Sequence, residues 1–494
     1  MKYFLTLIQL WVGFLSICAS YPKANIWIIP SVESPQVYRN YAQTSKVHLE
    51  MARGEVEHIQ LVFPSKVNEE YRFTFDRYLK GIQISARELK KMNGYYDALV
   101  PFKNQLKCTD TLTAVWITVQ CPSRVPVGKY HQTIKIEGSK HFTIQLDYNV
   151  HHTTIPLKSS IPITVGVENR CMTEGLNDKE ADKERQRWVD FVLSYRMTPV
   201  FGTQITPERW QYEHSFSPWA WNDKRSIRLL NDRRYSCYML PFFTLSENEL
   251  ASLLCNIQKK GKLKESLFYI WDEPAYMEDY EQIKRKVNII RKYASDARIL
   301  TTFFCGPRNG PRKGDLYAVF DYLKHHIHVA TISLAPCKGN EEEVQHIRYK
   351  VPEGIDWWSY VCWQPGGNEP NFLLQMKGIQ QRAVMWRTWK NGSQGFLYWN
   401  CNIYHKRNPF TYITDMPHGD GILIYPGDIL GCKGPIASAR LERWRDGAEE
   451  MELLRLVEKN YSKEKADTLL NIVYSSPLSF IEKAHNIPFF RKEL

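Results

Sequence analysis

Short apolar runs separated by turn residues fill the chain from about residue 24 to 155. The segments 25–29, 59–63, 114–119 and 142–146 are β-branched or aromatic, and Pro30 stops the first. Thr133-Ile134-Lys135-Ile136 alternates polar and apolar positions, the period of a half-buried strand. Several antiparallel strands with few helix signals predict a β-sandwich over 21–156. After Pro156 the period changes. Apolar strands are predicted at 161–168, 200–205, 238–245, 266–271, 298–304, 328–335, 356–363 and 395–400. Amphipathic helices lie between them. Trp188, Phe191, Val192 and Tyr195 share one face, as do Tyr280, Ile283, Val287, Ile290 and Ala294. Eight strands, most followed by a helix, predict an α/β fold over 157–494: a (β/α)8 TIM-like barrel. The segment 207–231 is Trp-rich with little periodicity and is expected to form a long loop over the mouth. Leu441, Trp444, Ala448 and Met451 predict a final helix that closes the barrel.

In such barrels the chemistry sits at the C-terminal ends of the strands. Those ends carry Glu168-Asn169-Arg170, Trp271-Asp272-Glu273-Pro274, Trp358-Ser359-Tyr360 and Tyr398-Trp399-Asn400. Carboxylates ringed by aromatics and amides suit a carbohydrate: acids for the glycosidic oxygen, amides for hydroxyls, flat rings for the apolar side of a pyranose. The composition agrees, with 15 Trp and 28 Tyr in 494 residues. The net charge of +12 is spread over helix-like stretches, and no nucleic-acid-binding signature accompanies it.

Asp272 and Glu273 are adjacent. An ionised neighbour raises the pKa of a carboxyl, so one of the two can stay protonated near neutral pH as a general acid. The bland alternative is a helix cap beside a solvated carboxylate. Retaining enzymes with a carboxylate nucleophile hold their two carboxyls about 5 Å apart across the scissile bond. Adjacent residues on an extended chain point to opposite sides, so the pair better fits a reaction whose nucleophile belongs to the substrate. Trp358, Tyr360, Tyr398, Trp399 and Asn400 are the candidate substrate-binding residues; alternation aims about half of the aromatics into the lumen. Asn402 is a further candidate for sugar hydroxyls. Asp420, between two glycines, reads as a turn residue. Arg445-Asp446 reads as an ion pair holding the barrel closed. His325, His326 and His328 lack the partners of a metal site, so no metal is expected. The basic, Gly-rich segment 306–313 lacks a P-loop ending and reads as a loop at the mouth, where it could meet an acidic glycan.

The first residues form an export leader over 1–20: Lys2, an apolar run over 4–17, then Cys18-Ala19-Ser20. Cleavage after Ser20 is expected. Leu15-Ser16-Ile17-Cys18 resembles a bacterial lipoprotein box apart from the bulky Ile17, which makes a lipid anchor at Cys18 the alternative. The protein is thus expected in the periplasm, on the cell surface or secreted. No other stretch is long and apolar enough to cross a bilayer. Ten further cysteines are scattered without a C-x-x-C pair, and neither their pairing nor the oligomeric state is readable.

The chain resembles glycoside hydrolase family 123, the β-N-acetylgalactosaminidases, and its wider group of relatives. The similar segments are 125–130 in the sandwich, Trp271-Asp272-Glu273-Pro274, 358–362, Pro370-Asn371, 382–386, 395–400, 419–427, 438–442 and Arg445-Asp446-Gly447. The resemblance spans nearly the whole mature chain and is more specific in its C-terminal half. It implies a β-sandwich joined to a (β/α)8 barrel and substrate-assisted retention through an oxazolinium intermediate. In that scheme Glu273 protonates the leaving oxygen and then activates water, while Asp272 orients the acetamido N–H. No metal or organic cofactor is implied, and the partner is a glycan or glycoconjugate. The alternatives are a glycosidase of the same architecture for another sugar, and a non-catalytic glycan-binding surface protein.

Overall fold

The computed structural model describes residues 26–494 apart from 77–80, 207–208, 213–223, 242–244, 405–408, 410–417, 483–486, 488 and 493. The leader and Cys18 lie outside the described residues.

Ten strands build the N-terminal part: β1 (Trp27–Pro30), β2 (Lys46–Arg53), β3 (Val56–Pro64), β4 (Glu70–Phe75), β5 (Gln83–Met92), β6 (Tyr95–Pro101), β7 (Gln105–Lys107), β8 (Leu112–Gln120), β9 (Gly128–Glu137) and β10 (His141–Thr154). They form two five-stranded sheets, β1-β3-β8-β5-β6 and β2-β10-β9-β4-β7. Pairing is antiparallel except between β2 and β10. Ile59, Leu61, Phe63, Val115 and Ile117 of the first sheet meet Ile134, Ile136, Ile144 and Leu146 of the second in the sandwich core. Strands β9 and β10 alternate buried and exposed residues because the second sheet has one face in water. Strands β3 and β8 are buried along almost their whole length. Their other face, with Val62, Ala114 and Trp116, packs into the core of the C-terminal part.

That part contains β11 (Ile163–Glu168), β12 (Thr198–Thr206), β13 (Arg209–Tyr212), β14 (Tyr238–Pro241), β15 (Ser266–Trp271), β16 (Arg298–Phe303), β17 (Val329–Ser333), β18 (Asp356–Val361) and β19 (Phe396–Tyr398). The strand order is β13-β12-β11-β19-β18-β17-β16-β15-β14. All pairs are parallel except β12 with β13. Eight parallel strands thus curl into a nearly closed barrel, with β12 and β14 at its two edges. Each predicted barrel strand overlaps an observed one. The expected long loop over 207–231 is corrected in part: Arg209–Tyr212 pairs back on β12 and Lys224–Leu230 is helical, while 207–208 and 213–223 lie outside the described residues.

The final long helix, Ala439–Asn460, is capped by the Ser438 hydroxyl, which accepts from the Leu441 N–H at 3.0 Å. Trp444 stacks on Phe372 at 4.6 Å and meets Phe396 and Tyr398 edge-on, which seats the helix on the outside of β19. Its other side faces the sandwich with charge. His58 of β3 bridges Glu442 at 3.1 Å and Asp446 at 2.8 Å. Arg87 of β5 pairs with Glu442 at 2.6 Å, and Arg440 pairs with Asp97 at 2.9 Å. Burial alone would push His58 down, but Asp446 and Glu442 hold it above its ordinary value. The expected Arg445–Asp446 pair is corrected here. Arg445 pairs with Glu442, and Asp446 with His58, because on a helix neighbours one apart diverge while those three apart share a face. The charges dock the sandwich onto the barrel rather than close the barrel.

Candidate active site

The lumen is filled by Val200, Met239, Leu267, Tyr269, Leu300, Val329, Trp358, Tyr360, Cys362 and Leu397, with Trp399 packed against them. These positions alternate with residues that face the helices, as the two-residue period of a strand requires. On β15, Tyr269 is inward. The register with β16 then slips between Tyr269 and Trp271. That bulge turns Trp271 outward, where its ring meets Lys286 at 5.9 Å, and brings Asp272 back over the lumen.

Asp272 is held from two sides. Its Oδ1 accepts from the Tyr269 hydroxyl at 2.5 Å and from the Thr302 hydroxyl at 2.7 Å. Thr302 also accepts the backbone N–H of Glu273 at 3.0 Å, so one hydroxyl on β16 fixes both members of the pair. Glu273 has φ of 44°, a left-handed conformation unusual for a residue with a side chain. This departure from extended backbone lets two consecutive carboxyls serve the same mouth. The Tyr360 hydroxyl, from β18, donates to Glu273 Oε1.

The two carboxyls sit in different environments. Burial of its carboxyl, with the charge of Asp272 beside it, raises Glu273 to about 7, against smaller opposing effects of the Tyr360 hydrogen bond and of Arg308. The residue as a whole is exposed. The two facts agree when the carboxyl is drawn in among protein atoms on one side while the mouth leaves the other side open. Burial and Glu273 together raise Tyr360 well above its ordinary value, so it remains a hydroxyl donor.

The following turn is anchored by Asp279, which accepts from the N–H groups of Ala275 and Tyr276, both at 2.8 Å, at the start of the helix Met277–Tyr293. The segment 306–314 lies against this turn: the Arg308 N–H donates to Ala275 O at 2.7 Å, and Asn309 Oδ1 accepts from the Met277 N–H at 2.8 Å.

Of the expected substrate-binding residues, Tyr360 and Trp399 face the lumen with the carboxylate pair. Trp358 also points inward but is 1% exposed, two residues toward the N-terminal end of β18, and packs against Gly395. It fills the barrel floor. Tyr398 faces outward, against Phe372 and Trp444, and cannot reach a ligand in the lumen. Asn400 is buried, and its Oδ1 accepts from the Asn402 N–H at 2.9 Å; Asn402 in turn is bonded through both side-chain atoms to the backbone of Glu168. Both serve the turn after β19.

Asp420 does more than turn the chain. It lies between Gly419 and Gly421, at φ of 89° and 69°, and its buried Oδ1 accepts from Trp399 Nε1 at 3.0 Å and from the Tyr398 hydroxyl at 3.2 Å. Burial raises it to about 7. Trp363 is 43% exposed and stacks on Phe304 at 6.2 Å, which puts a flat aromatic pair just past the ends of β18 and β16. Among the described residues no cluster of three or more groups is placed to hold a metal; His328 instead accepts the Ile299 N–H at 3.1 Å. The ten cysteines other than Cys18 are all unbonded thiols.

The model of the glycoside hydrolase 123 catalytic domain matches residues 183–457. No curated protein sequence matches the chain. Among solved structures, a family 123 glycoside hydrolase from Clostridium perfringens, studied for glycolipid glycan hydrolysis, superposes with a TM-score of 0.66 at 13% identity, covering 90% of this chain and 91% of that one. At that identity the likeness is one of fold. A Bacteroides ovatus GH5 xyloglucanase gives a TM-score of 0.28 at 10% identity, over 82% of this chain and 98% of that one. A GH2 β-galacturonidase from Eisenbergiella tayi gives 0.35 at 8%, over 80% and 89%.

Proposed function

Because the chain belongs to glycoside hydrolase family 123, we propose that this glycoside hydrolase releases β-linked N-acetylgalactosamine with retention of configuration, the sugar's own acetamido oxygen acting as nucleophile. The observation that carries this reading is the division of partners within the adjacent pair. Asp272 is fixed by Tyr269 and Thr302, and Glu273 stands apart with a raised pKa and Tyr360 on one oxygen. One group is held in place to orient the acetamido N–H and to steady its developing positive charge. The other holds a proton near neutral pH for the glycosidic oxygen and takes one from water in the second step. Consecutive residues do not span a scissile bond as acid and nucleophile do in two-carboxylate retention, whereas substrate assistance needs no second protein nucleophile.

Trp399, Trp363 and Phe304 offer aromatic faces for the apolar side of a pyranose. We read residues 1–20 as an export leader, with a lipid anchor at Cys18 as the alternative, and so propose that the reaction runs outside the cytoplasm. The test is hydrolysis of 4-nitrophenyl β-N-acetylgalactosaminide, with the 2-hydroxy β-galactoside as comparison. Turnover of the first and near-inertness of the second are expected; the reverse order passes the function to a glycosidase for another sugar.

The acid sets a pH dependence with a definite sign. Glu273 must be protonated for the first step, and its protonated fraction falls as pH rises through about 7. With phenyl β-N-acetylgalactosaminide, whose leaving group needs the acid, kcat/KM should therefore decline above about pH 7. Tyr360→Phe removes a bond that holds this pKa down, so the declining limb should move to higher pH. A limb that stays in place in Tyr360→Phe would detach Tyr360 from the acid.

A further inference from the structure

Between the sandwich and the barrel lies a cavity of about 410 Å³, within the range of small-ligand pockets. Its walls include Glu33, Tyr95, Leu374, Met376 and Arg443. Arg443 is 5% exposed and makes no ion pair among the described residues. Its donors go to neutral acceptors: Ser31 O and Gln381 Oε1, both at 2.8 Å, and Glu33 O at 3.5 Å. A guanidinium has five N–H donors, and the described residues take up three of them. Burial pushes Arg443 down to about 10, against the smaller opposing charges of Asp97 and Asp446.

The other charges on the walls have partners. Asp97 is paired with Arg440 at 2.9 Å, and Lys377 with Glu482 at 3.8 Å. Glu33 uses Oε1 to accept the Tyr41 hydroxyl at 2.8 Å. Tyr95, at the tip of the β5–β6 hairpin, is 42% exposed, so part of its ring is free for a ligand. A buried guanidinium, a carboxylate acceptor and an accessible aromatic ring are the groups that recognise a sugar. Hydroxyl oxygens accept from the first, hydroxyl protons go to the second, and the apolar face lies on the third.

The cavity stands at the catalytic end of the barrel. The helix Gly378–Lys390 follows the C-terminal end of β18, so Leu374, Met376 and the first turn of that helix lie on the mouth side. The Leu374 N–H donates to His418 O at 2.9 Å, and Asn93 of the hairpin tip bonds His418 Nδ1 at 2.5 Å. Two residues on, Asp420 holds the indole of Trp399.

We propose that this seam is a distal sugar subsite, which takes a hexose unit of the glycan away from the bond being cleaved. It makes the substrate an extended glycan rather than a lone terminal sugar on a small aglycone, and it rests on the glycosidase reading only for the kind of ligand.

The test is a glycan array probed with Glu273→Gln and with Glu273→Gln/Tyr95→Ala. Tyr95 is chosen because Arg443→Gln could disturb the packing of the seam, whereas an exposed hairpin tip should not. Retention of extended glycans should fall at least tenfold in the double variant, while Tyr95→Ala alone should hydrolyse phenyl β-N-acetylgalactosaminide at the wild-type rate. Equal retention by the two array proteins, or no retention by either, overturns the subsite. Failure of the wild-type protein to hydrolyse the phenyl glycoside, with Tyr95-dependent retention intact, would instead overturn the sugar assignment and leave the subsite standing.

Discussion

Glu273→Gln should slow hydrolysis of a glycoside with a natural leaving group by about 10²–10⁴-fold, the usual contribution of general acid–base catalysis. The amide has the shape of the carboxyl and can still accept from the Tyr360 hydroxyl, so the fold and substrate binding should persist. It cannot deliver a proton to the glycosidic oxygen or take one from water. The loss should shrink in the first step for a 4-nitrophenyl leaving group, which departs with little acid help. Steady-state kinetics on both leaving groups check this. Wild-type-like rates on the poor leaving group would remove Glu273 from the chemistry.

Asp272→Asn should cost about 10²–10³-fold, a few kcal/mol of transition-state stabilisation. Its carboxylate is the charge that steadies the acetamido nitrogen as the ring closes, and an amide in its place carries none. A second effect comes from the neighbour. The charge of Asp272 is one of the causes that raise Glu273, so its removal should shift the declining limb of the pH profile to lower pH. The profile separates this account from a simple loss of packing, which would lower the rate without moving the limb. Nearly full activity in Asp272→Asn would reduce Asp272 to a structural group.

The strand pattern was legible because a barrel strand is an apolar run, and Ile163–Glu168 or Val329–Ser333 can hardly be read otherwise. The carboxylate pair was legible because it follows such a run directly. What holds the pair was not. Tyr269 meets Asp272 only because a bulge reverses the alternation, and Thr302 meets both carboxylate residues only because β16 pairs with β15. Neither event leaves a mark in the sequence of one strand. The same limit hid the inward or outward sense of the aromatics. Tyr398 and Trp399 are neighbours and equally good candidates by type, yet alternation sends one under the helix Ala439–Asn460 and the other into the lumen.

That helix was visible from Leu441, Trp444, Ala448 and Met451. Its Arg445-Asp446 reads as an ion pair closing the barrel, since the sequence of one helix does not show that His58 and Arg87 of the sandwich supply the partners of Asp446 and Glu442. Asp420 reads as turn chemistry because its glycine neighbours are a strong local signal, while its grip on Trp399 comes from a contact 21 residues away in the chain.

The central claim is that the substrate supplies the nucleophile. It is tested most directly by kcat/KM across a series of aryl β-galactosaminides whose N-acyl group is acetyl, fluoroacetyl, difluoroacetyl and trifluoroacetyl. Each fluorine withdraws electron density from the attacking oxygen. The account predicts a steep, monotonic fall along the series. A flat series, together with a covalent sugar ester trapped on a carboxylate of the protein, would contradict it.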